Sequence, residues 1–287
     1  MKLSVIITTH ARPDSLDRLL ESLIPQLDPD RHELFIAENG TPQPSRIETG
    51  FAEMHIHDPL PGKCRVQNRA IVAAQGSIIV LLDDDLVVSR DYIAAVQHFF
   101  ARYPEYAAMK GRILPAEDPW AKVGMMAPYL DLPIVDEGHE VIDVRGVLGA
   151  NMAFRSSTFD HVGLFDERLG PGAAGHEEET EMSQRIRRAG MRIGYCPDAL
   201  VYHDVDPERA TRERYIRIAR ERGYCRTLHE HHTLSNAIAE RTLAALRLKI
   251  ARLMHAPVAR IAREERRHAV AQGIIDGLRN PGPTSPQ

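Results

Sequence analysis

The chain has 287 residues, 36 Lys+Arg against 40 Asp+Glu, and 43% hydrophobic residues. That size and balance exclude collagen-like, mucin-like and wholly disordered chains, and a core this large needs no disulfide or metal staple. Cys64, Cys196 and Cys225 form no CxxC pair and no even-numbered framework; no apolar run nears the ~20 residues of a membrane span, and residues 3–9 are too short for a signal-peptide core. The expectation is a soluble, cytoplasmic protein in a reducing compartment.

Residues 2–9 read as a strand. Leu16, Leu19, Leu20, Leu23 and Leu27 then recur at helical spacing, with Pro13 and Asp14 suited to a first turn. Residues 34–37 form a short apolar run that stops at Glu38-Asn39-Gly40, a turn signal. Residues 54–56 are a weaker strand, and residues 63–74 a helix ending near Gly76. Residues 77–82 are apolar on both faces, as a central strand of a covered sheet is, and end in Asp83-Asp84-Asp85. A helix over residues 92–102 follows. This rhythm predicts an α/β fold with a mostly parallel sheet. Such sheets bind ligands beyond the carboxyl ends of their strands. Three of those ends are polar here: Thr8-Thr9-His10, Glu38-Asn39-Gly40 and Asp83-Asp84-Asp85.

Pro115, Pro119, Pro128 and Pro133 break the pattern, so residues 115–144 read as a long connection or flap. Order resumes at residues 147–154. A Gly-rich loop over residues 170–175 feeds Glu177-Glu178-Glu179-Thr180-Glu181 and a helix that stops at Gly190. Two short strands, residues 192–196 and 199–202, flank Pro197-Asp198. Residues 208–278 read as helical with a break near residues 255–257, before a frayed polar tail from 280.

Three adjacent carboxylates repel one another unless a cation or strong donors are present. The Asp83–Asp85 triplet is therefore either a solvated acidic turn or a site for a hard divalent ion. Glu177–Glu181 is either favoured by the helix dipole alone or supplies a general base. His203 is either a packed histidine or a metal ligand. Lys63 and Arg65 after Gly62 offer phosphate contacts. Gly149-Ala150-Asn151 allows a close substrate approach or simply turns the chain.

Taken in order, these pieces resemble the inverting family-2 glycosyltransferases of GT-A fold, over residues 4–203. The resemblance rests on Val5-Ile6-Ile7-Thr8-Thr9-His10-Ala11-Arg12, Glu38-Asn39-Gly40-Thr41, Asn68-Arg69-Ala70 and Leu81-Leu82-Asp83-Asp84-Asp85. It continues through Gly149-Ala150-Asn151, Val162-Gly163-Leu164-Phe165-Asp166-Glu167, the acidic cluster with Arg185, and Pro197-Asp198-Ala199-Leu200-Val201-Tyr202-His203. It implies a Rossmann-like sheet with flanking helices and a nucleotide-diphosphate sugar donor, UDP-sugar favoured. It also implies Mg²⁺ or Mn²⁺, with Asp85 and His203 as metal ligands. Thr8, Arg12, Glu38, Lys63, Asn68, Asp83 and Asp84 would contact the donor. Glu179, with Glu178 beside it, would be the catalytic base, a glutamate where the family carries aspartate. Gln67 stands where the family often has arginine.

The implied plan is a nucleotide-sugar half (1–115), an acceptor and catalytic half (116–206) and a helical basic extension (207–287). Between residues 208 and 267, 15 Lys+Arg face seven Glu, a formal +8 that leaves −12 for the rest. There Leu243, Leu246, Ile250 and Leu253 recur at helical spacing. That stretch either packs on the catalytic domain or meets an anionic membrane or lipid-linked hydroxyl acceptor. With few aromatics it does not suit nucleic acid. The family setting is polysaccharide, glycolipid or secondary-metabolite assembly. The rival readings are a retaining transferase or nucleotidyltransferase with a similar metal site, and a nucleotide-sugar-binding scaffold without turnover.

Overall fold

The computed structural model describes residues 1–41, 51 and 53–281. The chain divides into two units, each discontinuous in sequence. The first comprises Met1–Ala116, Pro133–Ala173 and Glu178–Asp204; the second comprises Glu117–Leu132, Ala174–Glu177 and the chain from Val205 onward. The halves expected at 1–115 and 116–206 thus share one sheet, and part of the expected flap belongs to the second unit.

In the first unit, β1 (Leu3–Thr9) is buried along its whole length. Pro13 starts α1 (Pro13–Leu23), which buries Leu16, Leu19, Leu20 and Leu23 as the spacing predicts. Next come β2 (His32–Asn39), β3 (Glu53–Asp58), α2 (Lys63–Ala73) and β4 (Ile78–Asp83). Strands β3, β2, β1 and β4 are parallel neighbours. Ile78 to Leu82 are each at most 1% exposed, and each such side chain removed from water contributes about 1.5–3 kcal/mol.

After β5 (Leu86–Val88) and α3 (Tyr92–Arg102), β6 (Tyr106–Pro115) enters the far half of the sheet. The short α4 (Pro119–Val123) belongs to the second unit. The first unit resumes with β7 (Ile142–Asp143), β8 (Asn151–Arg155), α5 (Ser156–Val162), α6 (Glu178–Arg188) and β9 (Arg192–His203). Among the described residues the sheet order is β3-β2-β1-β4-β8-β6-β9-β5, with β7 on β9. β8 runs antiparallel to both β4 and β6, so the sheet is mixed and its parallel run of four strands lies in the N-terminal half.

The two short strands expected around Pro197 are one strand. Cys196 pairs with Gly111 and Leu200 with Arg112, so residues 197–199 bulge out of the ladder. Pro197 cannot donate to a ladder and is tolerated at such a bulge. Asn151 Nδ2 donates to Arg112 O (3.1 Å) and Ala199 O (2.9 Å) there, while its Oδ1 accepts from the Tyr92 hydroxyl (2.7 Å). The residue singled out as a possible turn is a buried brace.

The second unit is built on α7 (Arg212–Arg226), α8 (Leu234–Leu253) and α9 (Val258–Arg279). Helices α7 and α9 cross closely. A Cβ on Gly223 would lie 2.0 Å from Val270 O, and one on Gly273 1.9 Å from Arg220 O. The buried side chains of α8 are Ala237, Ala244 and Ala251, seven residues apart. Its large apolar residues face outward: Leu243, Leu246, Ile250 and Leu253 are 42–69% exposed. The leucine row of that stretch is therefore not its buried face; the buried seam is made of alanines. Glu265, 3% exposed, accepts from Arg212 Nε (2.9 Å), Arg252 Nη2 (2.7 Å) and the Tyr129 hydroxyl (3.1 Å). Beyond residue 281 the expected tail lies outside the described residues.

Candidate active site

Register brings the polar strand ends together. Thr9 lies opposite Glu38 across β1 and β2, and Thr8 opposite Asp83 across β1 and β4. Leu86 of β5 pairs with His203 of β9, which sets Asp85 beside the histidine. Glu38 is buried at the end of β2. Thr8 is 7% exposed, and its hydroxyl has no hydrogen-bond partner among the described residues. A buried polar atom without a partner is costly and is completed by a water or a ligand.

The three aspartates have three different settings. Asp84 is 3% exposed; its Oδ2 accepts from Thr9 Oγ1 (2.6 Å) and its Oδ1 from Arg12 Nη1 (3.2 Å). Burial raises its pKa, against the opposing Thr9 hydroxyl and Arg12. Asp85 Oδ2 accepts from the same Arg12 Nη1 (3.0 Å), and its Oδ1 lies 3.3 Å from His203 Nε2. Asp83 Oδ1 accepts from Lys63 Nζ at 2.5 Å. Burial and the neighbouring Asp85 charge raise the Asp83 pKa, and Lys63 opposes them.

His203 is 4% exposed, with Nδ1 2.9 Å from Asp204 O. A carbonyl oxygen only accepts, so Nδ1 carries the hydrogen. In the neutral ring Nε2 then turns its lone pair to Asp85 Oδ1. Two electron-rich atoms in that position require a proton or a cation between them, and the carbonyl fixes the tautomer that a metal-binding histidine needs. Among the described residues no group of three or more His, Cys, Asp or Glu could hold a metal alone. The pair would supply two ligands to a hard divalent ion, with other oxygens completing its shell.

Lys63 joins this cluster to the acidic one. Its ammonium, on a residue 9% exposed, lies 4.0 Å from Glu178 Oε1 as well as against Asp83. Burial alone would lower its pKa, but Asp83 and Glu178 outweigh that and keep it charged above its usual range. Glu178 is 5% exposed. Burial and the adjacent Glu179 charge push its pKa well above the usual carboxylate range, with Lys63 opposing. Glu179 is half-buried beside it. A Cβ on Gly149 would stand 3.6 Å from Lys63 Nζ and 3.9 Å from both Glu178 Oε1 and Glu179 Cδ, so the two carboxylates and the ammonium converge on this backbone. Gly170, at φ +81°, passes close above: its Cβ would lie 3.1 Å from Cys64 Sγ and 3.2 Å from Glu178 Cδ. Gly170 is glycine because it turns at positive φ against the buried glutamate, whereas a Cβ on Gly172 would lie 2.5 Å from Gly62 N.

Asn68 stands apart from this arrangement. Its amide is engaged with Phe165 N (3.0 Å) and Phe165 O (2.9 Å), bracing the loop at Phe165-Asp166-Glu167. Asp84 is likewise turned to Thr9 and Arg12. Both were expected at the donor, and in both the polar atoms serve the protein. Arg185 holds Glu181 and the carbonyls of Val162 and Leu164. The link that sequence reasoning missed is Lys63 between Asp83 and Glu178; Gly62-Lys63 at a helix start was its one signal.

A mixed sheet with acidic and basic side chains gathered beyond its strand ends, next to a paired-glutamate helix start, defines a GT-A-type transferase scaffold. Residues 78–262 match glycosyl transferase family group 2, and residues 4–133 match glycosyl transferase family 2. The chain belongs to the family-2 glycosyltransferases and is a glycosyltransferase. It is 24% identical over 218 residues to a glucosyl-dolichyl phosphate glucuronosyltransferase of Haloferax volcanii, covering 71% of this chain and 69% of that protein. In fold it is similar to a mannosyltransferase from Pyrobaculum calidifontis in complex with GDP-Man and Mn²⁺ (TM-score 0.62, 16% identity, 98% of this chain and 88% of that one). It is also similar to S. aureus TarS 1–349 in complex with UDP-GlcNAc (TM-score 0.53, 14% identity, 97% and 92%).

Proposed function

We propose that the first unit transfers a sugar, with inversion, from a nucleotide-diphosphate sugar to an acceptor hydroxyl. The observation that carries this reading is Lys63, which stands between Asp83 on the donor side and Glu178-Glu179 on the acceptor side. Asp85 and His203 would hold Mg²⁺ or Mn²⁺, which neutralises charge developing on the departing diphosphate. Thr8 and Glu38 flank the nucleoside. Glu38 accepts from a base ring N–H, as uracil offers, so UDP-sugars are favoured; guanine offers a similar edge. The Lys63 ammonium balances the surrounding carboxylates and adds positive charge near the leaving group. Glu179 accepts the acceptor proton as its oxygen attacks the anomeric carbon and the bond to the diphosphate oxygen breaks. Attack and departure on opposite faces invert the anomeric configuration. Burial holds Glu178 toward its protonated state beside Glu179.

A thermal-shift panel of UDP, GDP, dTDP and CMP sugars, with and without Mn²⁺, tests the donor. A bound donor raises the melting temperature by mass action. The shift should need Mn²⁺ and shrink in Asp85→Asn; no shift with any sugar nucleotide would refute the reading.

The acceptor in this reading is a hydroxyl of a polysaccharide, glycolipid or secondary-metabolite precursor, lipid-linked as in the substrate named for the Haloferax relative. The exposed row of Leu243, Leu246, Ile250 and Leu253 with Arg247 and Lys249 supports peripheral contact with an anionic membrane on its cytoplasmic face. No helix among the described residues is long and apolar enough to cross one. Leu246→Ser with Ile250→Ser should abolish binding to phosphatidylglycerol vesicles without lowering the melting temperature. Unchanged vesicle binding removes the membrane role.

A further inference from the structure

One face of α6, made of Thr180, Ser183, Gln184, Arg187 and Arg188, lines an open groove of about 540 Å³ with Arg145, Gly146 and Val147. The spacing i, i+3, i+4, i+7, i+8 keeps all five helix residues on one side. No carboxylate lines this groove. Arg187 donates to Val144 O (2.9 Å) and Arg188 to Gln184 Oε1 (3.3 Å), so each keeps its charge uncompensated, and Arg145 has no partner among the described residues. Arg185 on the same helix is the contrast: it grips Glu181 through Nε and Nη2. Three unneutralised guanidiniums in one concavity stand out in a part of the chain whose formal charge is strongly negative.

The groove adjoins the paired glutamates. Ser183 Oγ donates to Glu179 O (2.6 Å) and accepts from Val147 N (3.0 Å), tying the groove wall to the residue assigned as base. Arg187 and Arg188 follow Glu179 by eight and nine residues, about 12–14 Å along the helix. One guanidinium fork satisfies the two oxygens of a carboxylate; three exposed forks lining one groove match a group with more oxygens and more charge, which is phosphate.

We propose that this groove binds a phosphate carried by the acceptor, separated from the reacting hydroxyl by a spacer the size of a short oligosaccharide. The proposal rests on the transferase reading, because that reading places the hydroxyl at Glu179. Free sugar phosphates and lipid-linked ones present the same chemistry.

The test is phenylglyoxal labelling of the full chain, read residue by residue by mass spectrometry, with methyl phosphate as the probe. Methyl phosphate should slow labelling of Arg145, Arg187 and Arg188 together, acetate at equal ionic strength should not, and exposed Arg90 should be unaffected. Arg145→Gln with Arg188→Gln should weaken protection of Arg187 about tenfold, the loss expected for one or two charge-assisted hydrogen bonds, at unchanged melting temperature. Equal labelling with and without methyl phosphate, or equal protection by acetate, overturns the proposal. Vesicles of phosphatidylcholine with and without phosphatidic acid form the second arm. Protection by phosphatidic acid in addition to methyl phosphate admits a lipid-linked acceptor; protection by vesicles alone assigns the groove to a bilayer surface and overturns the proposal. Nucleotide-sugar binding is measured on the same samples. If it is present while the groove is unprotected, this proposal alone fails; if it is absent, the transferase reading fails.

Discussion

Leu81, in the middle of β4, is wholly buried, whereas Leu246, in the middle of α8, is 54% exposed. The first unit buries its large aliphatic residues on both faces of a covered sheet. In the second, α8 closes on Ala237, Ala244 and Ala251 and leaves its large residues outside, and α7 and α9 cross at Gly223 and Gly273, while α9 buries Ile274 and Ile275. Helical spacing of leucines therefore reports a face with a purpose and does not say which face is the core. Each unit also buries a glutamate. Glu265 meets two arginines and a tyrosine hydroxyl, whereas Glu178 meets one lysine and another glutamate. The first arrangement is satisfied as a charge; in the second, burial and the neighbouring Glu179 hold Glu178 toward its protonated state.

The same substitution should separate the two leucines. Leu81→Ala should cost about 2–5 kcal/mol in denaturant unfolding, and Leu246→Ala less than about 0.5 kcal/mol. Comparable losses would mean that α8 buries its apolar row after all. At the glycine crossing, Gly223→Ala should destabilise by about 1–3 kcal/mol through overpacking against Val270, read as a lowered melting temperature. A neutral result would show that the helices can part without loss.

The smallest effects are in pH dependence, and the two glutamates should give opposite signs. Glu178 holds its proton more tightly when folded, so its contribution is full at low pH. That contribution is lost as pH rises from the usual carboxylate range through the raised value. Glu178→Gln should therefore stabilise the chain at neutral pH and flatten the loss on the alkaline side. For Glu265, burial acts to raise the pKa, but hydrogen bonds from Arg212 and Arg252 outweigh it and hold the value down. Its contribution is present above the usual carboxylate range and is lost as pH falls, so Glu265→Gln should lower the melting temperature at neutral pH and matter less in acid. Melting curves from about pH 2 to 9 decide both, and parallel curves for the two variants would contradict the contrast.

Much of the first unit is legible in the sequence because period and punctuation agree there. Pro13 and the leucine spacing mark α1, and a two-sided apolar run ending in aspartates marks β4. The roles within Asp83-Asp84-Asp85 are less legible. The three residues are chemically identical, and only the course of the backbone turns one to Lys63, one to Thr9 and one to His203. The Lys63–Glu178 approach joins residues far apart in sequence, so Gly62-Lys63 at a helix start marks a basic residue there and does not reveal its partner. Asn68 reads as a donor contact, and Asn151 as part of a turn or a close approach, because a buried amide that braces a loop or a bulge has no distinctive local sequence. On α8 alanines carry the packing, as glycines do at the α7–α9 crossing, and a search for large apolar residues passes over them.

The central claim is that Glu179 acts in the chemical step while its buried neighbour supports it, and donor affinity and turnover measured together test this most directly. Glu179→Gln keeps size and polarity but removes the proton acceptor. Turnover should fall by about 10²–10⁴, the range for a positioned general base, with donor affinity nearly unchanged, since a group used only in the transition state contributes little to ground-state binding. Glu178→Gln should lose less. The reverse ranking would move the base by one residue, and near-normal turnover in both variants would contradict the account and leave this acidic cluster as a helix-start preference alone.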